Sequence, residues 1–156
     1  MINDLMNTTF TSLDPETFRP EYIQKTDTID QGIELMIKAM TQDYWCWIGS
    51  TGQMGSARRD TWANFCNAFN VTKGKKYARV TNKGAVVAFV VLLDNDQKFQ
   101  QGDILKPAGF RTPARNKPRG NVLAGGYSIA WTGPHYLSTH AVRIKAWKTN
   151  PARSAQ

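Results

Sequence analysis

The chain has few of the residues that most often carry chemistry. Only two cysteines occur in its 156 residues, Cys46 and Cys66, with no paired spacing. That excludes a disulfide framework and fits a reducing compartment. The two histidines, His135 and His140, have x4 spacing but fall on a strand-and-turn segment, without the cysteine partners a zinc site needs. Neither opens a His-x-Ser/Thr motif, which excludes a two-histidine phosphoesterase. Carboxylates are scarce in the second part, where Asp94, Asp96 and Asp103 are the only ones after residue 70. Asp94-x-Asp96 lacks the remaining ligands of a calcium loop, and a strand-ending turn explains it more simply. No nucleophile–base pair can be named, so the chain is expected to be no enzyme and to hold no cofactor or metal. Long apolar runs are also missing. The longest, Ala85 to Leu93, is too short to span a bilayer. Met1-Ile-Asn-Asp4 has no basic region followed by an apolar stretch, so neither a secretory leader nor a membrane partner is expected.

What is present is a basic globular composition. Hydrophobic residues make up 41% and charged residues 21%, and mean hydropathy is −0.46. A domain of this length buries roughly two-thirds of its unfolded surface and needs no covalent staples. The charge is uneven. Residues 1–70 carry 5 basic and 9 acidic side chains, net −4, and residues 71–156 carry 15 and 3, net +12, which together give the total of +8. A segment so biased attracts polyanions at long range.

Residues 1–26 read as an arm, broken by Asp14-Pro15 and Arg19-Pro20. Phe10, Leu13, Phe18 and Tyr22 would anchor it on its own domain or, in a homo-oligomer, on a neighbouring copy. Residues 27–148 read as one α+β domain, helical over 27–70 and basic β over 71–148, with 149–156 as a flexible tail. The spacing of Ile29, Ile33, Met36, Ile37, Met40, Tyr44 and Trp47 predicts a helix over 28–47, started by the capping-box form Thr28-Ile-Asp-Gln31. The Gly49–Gly55 loop allows close approach to an anion, but lacks a phosphate-loop spacing and reads first as a helix connector. A second helix is expected over 57–70, with Trp62, Phe65, Cys66 and Phe69 on one face. Arg58 and Arg59 would lie in its first turn, a poor place for cations unless an external anion faces them. Strands are expected over 75–81, 85–93, 99–105, 127–132 and 139–147, with Asn82-Lys-Gly84 as a hairpin turn. The fold class is α+β: two N-terminal helices packed on a small, strongly bent antiparallel sheet or a partly open β-barrel.

The strongest constellation is Lys106 to Arg119. It holds five cations, Lys106, Arg111, Arg115, Lys117 and Arg119, in 14 residues with no acid. Prolines stiffen it, which reduces the entropy lost on binding. Guanidinium groups suit phosphate, and Phe110, Tyr127 and Trp131 are stacking faces for bases. Arg79, Arg143 and Lys145 would extend this basic face if strands 75–81 and 139–147 are neighbours. The competing reading is a solvated basic loop with no ligand.

Gly102-Asp-Ile-Leu-Lys-Pro-Ala108, Pro113-Ala-Arg115, Arg119-Gly-Asn121 and Trp131-Thr-Gly-Pro134, in that order, resemble small proteins encoded by tailed bacteriophages. The resemblance covers about residues 70–137. It implies a phage origin and a shared β-domain, and transfers no catalytic residue. The expected function is therefore a non-enzymatic phage accessory protein in the host cytoplasm that binds a polyanion, nucleic acid or a nucleotide and most concretely single-stranded nucleic acid, through the basic Pro/Gly loop. The alternatives are an inhibitor of a host enzyme or antiviral defence system, which binds a host protein or sequesters a nucleotide signal, and a minor virion protein.

Overall fold

The computed structural model describes residues 23–135. Two helices, α1 (Ile29–Ser50) and α2 (Gly55–Asn67), precede four strands, β1 (Phe69–Lys73), β2 (Tyr77–Asn82), β3 (Ala85–Val91) and β4 (Ile104–Leu105). The strands form one antiparallel sheet in the order β1-β2-β3-β4. The α+β class is as the sequence predicts. The sheet is open, however, with β1 and β4 at its ends, and is neither strongly curled nor barrel-like. Helices cover one face of these strands, so the core is sealed without closure.

The start of α1 follows its sequence. The Thr28 hydroxyl accepts a hydrogen bond from the Gln31 N–H at 3.1 Å, and Asp30 lies in the first turn. Ile33, Met36, Ile37 and Met40 are fully buried. Farther along, Trp45 and Ile48 are buried, and of the expected Tyr44 and Trp47 the first packs half-buried against the core while the second is exposed. The cause is α2, which packs back on this end. Trp62 meets Trp45 edge-to-face at 6.0 Å, and its indole N–H donates to the Thr41 carbonyl at 2.9 Å.

α2 stops three residues before the expected Asn70. The buried Asn82 side chain donates to the Phe65 carbonyl at 2.9 Å, and the Lys83 N–H donates to the Ala68 carbonyl at 3.3 Å. These bonds serve C-terminal carbonyls that further helix would otherwise use. Phe69 then joins β1, where Phe69 and Val71 point inward. The β2–β3 hairpin closes through Lys83 and Gly84, both at positive φ (52° and 81°), the geometry of a two-residue turn matched to strand twist.

Two expected strands are shorter or missing. The one over 99–105 contracts to Ile104–Leu105, and residues 127–132 form turns with a single Ala130–Gly133 bridge. Residues 119–122 instead bond along the outer edge of β4, the Ile104 N–H donating to the Gly120 carbonyl at 2.9 Å. The buried Asp103 carboxylate accepts from the Asn121 side chain at 3.0 Å, and Asn121 Oδ1 accepts the Leu123 and Ala124 N–H groups. The Gly-Asp-Ile-Leu and Arg-Gly-Asn motifs thus meet in one buried network that supports the sheet edge. Ile23, near the end of the expected arm, is buried, and its carbonyl accepts the Gly126 N–H.

Candidate polyanion-binding face

Alternation along β2 divides its side chains between two faces. Ala78 and Val80 join the helix-side core. Tyr77 and Arg79 lie on the other face, beside a smaller cluster of Phe89, Val91, Phe99 and Leu105. The segment after β4 folds back over this second face.

That segment is a hairpin-like turn and not a free loop. Pro107 and Pro113 bridge, the Ala114 N–H donates to the Lys106 carbonyl at 2.7 Å, and the Ala108 and Gly109 N–H groups share the Thr112 carbonyl. Its tip presents Phe110 and Arg111. Phe110 is 51% exposed, and the Arg79 guanidinium lies 4.3 Å from its ring centroid. On the returning leg Arg115 bonds Asp96 Oδ1 at 2.9 Å, contacts the Tyr77 hydroxyl, and lies 4.8 Å over Phe99. The guanidinium hydrogen bond holds the Asp96 carboxyl down to about 2, helped by the Lys98 and Phe99 N–H groups.

The structure therefore sorts the sequence-predicted residues. Arg111 and Lys117 are exposed, and among the described residues neither side chain has a hydrogen-bond or ion-pair partner. Arg79 is half-buried beneath Phe110, and its Nε has no hydrogen-bond partner. Arg115 is already engaged by Asp96. Lys106 donates to the Pro134 carbonyl at 2.8 Å, and desolvation lowers its pKa, with the nearby Arg119 charge acting in the same direction. Arg119 turns back onto Asn116 and the Lys117 carbonyl, and its own desolvation lowers its pKa. Both are poorly placed to meet an incoming phosphate first.

The expected stacking set separates. Tyr127 is buried, its ring packed where Gly120 leaves room: a Cβ on Gly120, at φ 144°, would stand 2.6 Å from the Tyr127 Cβ. Burial raises the Tyr127 pKa, and no base can reach its ring. Trp131 belongs to the helix side, its ring 5.0 Å from Tyr44 and 5.1 Å from Trp47, and its backbone N–H donates to the Asp43 carboxylate at 2.8 Å. Phe110 and Trp131 therefore cannot form one platform. Arg143 and Lys145 lie outside the described residues. The strand expected over 139–147 lies outside them as well.

Other suspected sites acquire structural roles. Arg58 donates to the Trp45 carbonyl at 2.7 Å and stacks 3.8 Å over its ring, so the C-terminal part of α1 faces its charge without an external anion. Residues 51–54 simply connect the helices. Cys66 is a buried thiol pushed up to about 12 by desolvation. One contact escaped the sequence reading: Ser128 Oγ lies 3.3 Å from His135 Nε2, brought close by the Ala130–Gly133 turn. Among the described residues no group of three acids, histidines or cysteines could hold a metal ion, and no helix is long and apolar enough to cross a membrane. No family model matches the chain, and neither a curated protein nor a solved structure matches it.

Proposed function

We propose that this chain is a non-enzymatic accessory protein that binds single-stranded nucleic acid on the outer face of its sheet. The observation that carries this reading is the hairpin tip, an exposed Phe110 ring backed by Arg79 and followed by the unengaged Arg111. A base stacks on the free face of the ring, while Arg111 and Lys117 meet phosphates. Base pairs bury such faces, so single strands are the preferred form. The charge distribution agrees. Residues 71–135 carry 11 basic and 3 acidic side chains, net +8, against 4 and 5, net −1, over residues 23–70. The resemblance to tailed-phage proteins supports a setting in the cytoplasm of an infected cell.

The test is fluorescence anisotropy with a labelled oligothymidylate and a duplex of equal length. Wild-type protein binds the single strand more tightly, and affinity drops steeply between about 50 and about 200 mM salt. Phe110→Ala weakens binding while the fold persists. Salt-insensitive binding, or an unaltered affinity in folded Phe110→Ala, overturns the reading.

A second reading has its own observation. On the helix side Trp47 is 45% exposed and stacks on Tyr44 at 5.6 Å, beside Trp131. Such rings are anchors for protein partners. An inhibitor of a host enzyme would retain one bacterial protein after nuclease treatment. Trp47→Ala would abolish that retention, and Phe110→Ala would spare it.

A further inference from the structure

We infer that Asp96, Arg115 and Tyr77 form a latch that holds the basic hairpin closed on the sheet and thereby positions Phe110 and Arg111 for a single-stranded nucleic acid. The inference rests on the proposed function and assigns these three residues a positioning role. Three features support it. Tyr77 and Arg79 are two residues apart on the same face of β2, and the hairpin lies along that face, with Phe110 on Arg79 and Arg115 on Tyr77. Arg115 ties the hairpin to two other segments, the connection after β3 through Asp96 and the Phe99 ring, and the start of β2 through Tyr77. Its backbone carbonyl is also held by the Lys98 ammonium. The hairpin adds no side chain to the apolar cluster beneath it: Phe110 is exposed, Pro113 is buried outside that cluster, and Phe89, Val91, Phe99 and Leu105 come from the sheet and the preceding turn. A lid with so small an apolar anchor depends on its polar ties.

The latch has an opposite sign from simple electrostatics. Asp96 is a negative charge beside a face that attracts polyanions, so removing it should by Coulomb attraction alone strengthen binding. If it holds the hairpin in its binding arrangement, removing it weakens binding, because the ordering cost then falls on association. Asp96→Asn removes the charge that strengthens the Arg115 bond, while its Oδ1 still accepts from the Lys98 and Phe99 N–H groups and, more weakly, from Arg115. Tyr77→Phe removes the hydroxyl and keeps the ring against Phe89.

The experiment measures two quantities on the full chain, wild type, each single variant and the double variant. Amide hydrogen exchange at Ala108, Gly109 and Ala114, whose N–H groups bond to carbonyls within the hairpin, reports the fraying of the hairpin that follows its release from the sheet, without any ligand. Anisotropy with oligothymidylate reports binding. In the double variant these amides are expected to exchange roughly tenfold faster, with amides of β2 and β3 unchanged. Affinity is expected to fall about three- to tenfold. Tyr77→Phe alone, which alters no charge, shows the same effects more weakly and serves if the double variant fails to fold. Unchanged exchange at the three amides, or an affinity that rises, overturns the latch. If wild-type protein binds no oligonucleotide, the polyanion reading fails and the exchange data alone decide whether the latch exists.

Discussion

The two faces of the sheet are closed by different means. On the helix side, Val71, Ala78, Val80, Ala88 and Val90 meet the apolar stripe of α1 and the aromatic face of α2 in one continuous core. On the other side, four buried residues, Phe89, Val91, Phe99 and Leu105, lie beneath a proline-stiffened hairpin. Cationic and polar contacts tie that hairpin down, Arg79 on Phe110 and Arg115 on Asp96 and Tyr77. Apolar burial scales with area and supplies most stability, while exposed ion pairs contribute little each. The helix side therefore carries the fold, and the hairpin side is the face that can be altered without unfolding the chain.

The largest expected effect tests that division on the helix side. Phe65 is buried, stacked on Tyr44 at 4.0 Å and edge-on to Phe69 at 5.0 Å. Phe65→Ala is expected to cost about 3–5 kcal/mol in denaturant unfolding. A loss below about 1 kcal/mol would mean that this core does not carry the fold. On the hairpin side Phe110→Ala should leave the unfolding midpoint nearly unchanged and weaken oligonucleotide binding by about 1–3 kcal/mol. Equal losses of stability at both positions would erase the contrast.

Phe99→Leu sharpens it further. Phe99 is buried but belongs to the smaller cluster, and Leu fills much of its volume, so a cost of about 1 kcal/mol is expected. Faster amide exchange should stay confined to the hairpin. Acid should act on the same side. Asp96 has its pKa lowered from 3.8 to about 2, so its contribution is fully present above its ordinary range and is lost as pH falls from about 4 through about 2. Carboxyl NMR would show the low midpoint, and hairpin amides should quicken in that window before the amides of β2 and β3. The smallest effect is expected from Arg111→Ala with Lys117→Ala. Stability should change by no more than about 0.5 kcal/mol per site, while the salt slope on single strands shrinks by about 0.7 per lost contact. An unchanged slope would remove these two cations from the binding face.

Much of the helix side is legible in the sequence. Periodicity in Ile33, Met36, Ile37 and Met40, the Thr28 cap and the Lys83-Gly84 turn are local signals, and each appears where its spacing puts it. The site is less so. Five cations spaced along a loop look equivalent in a linear string, yet only Arg111 and Lys117 stay exposed without a partner among the described residues. Asp96 and Tyr77, 19 and 38 positions away, claim Arg115. Aromatic residues are equally ambiguous, because a ring that can stack on a base can also pack in a core. Tyr127 and Trp131 were assigned to packing by contacts with Gly120 and Tyr44 that no local pattern encodes.

The sequence alone therefore determined the order of two helices before antiparallel strands, the cap and stripe of α1, the β2–β3 turn and the gathering of positive charge after residue 70. These depend on neighbours within a few positions, where side-chain period and backbone preference act directly. Tertiary structure alone decided that the sheet stays open, which cations are consumed by partners, and that Phe110 stands apart from Trp131 on the opposite face. Those outcomes depend on competition among distant groups for the same carboxylate, carbonyl or apolar surface, and only the folded chain brings the competitors together.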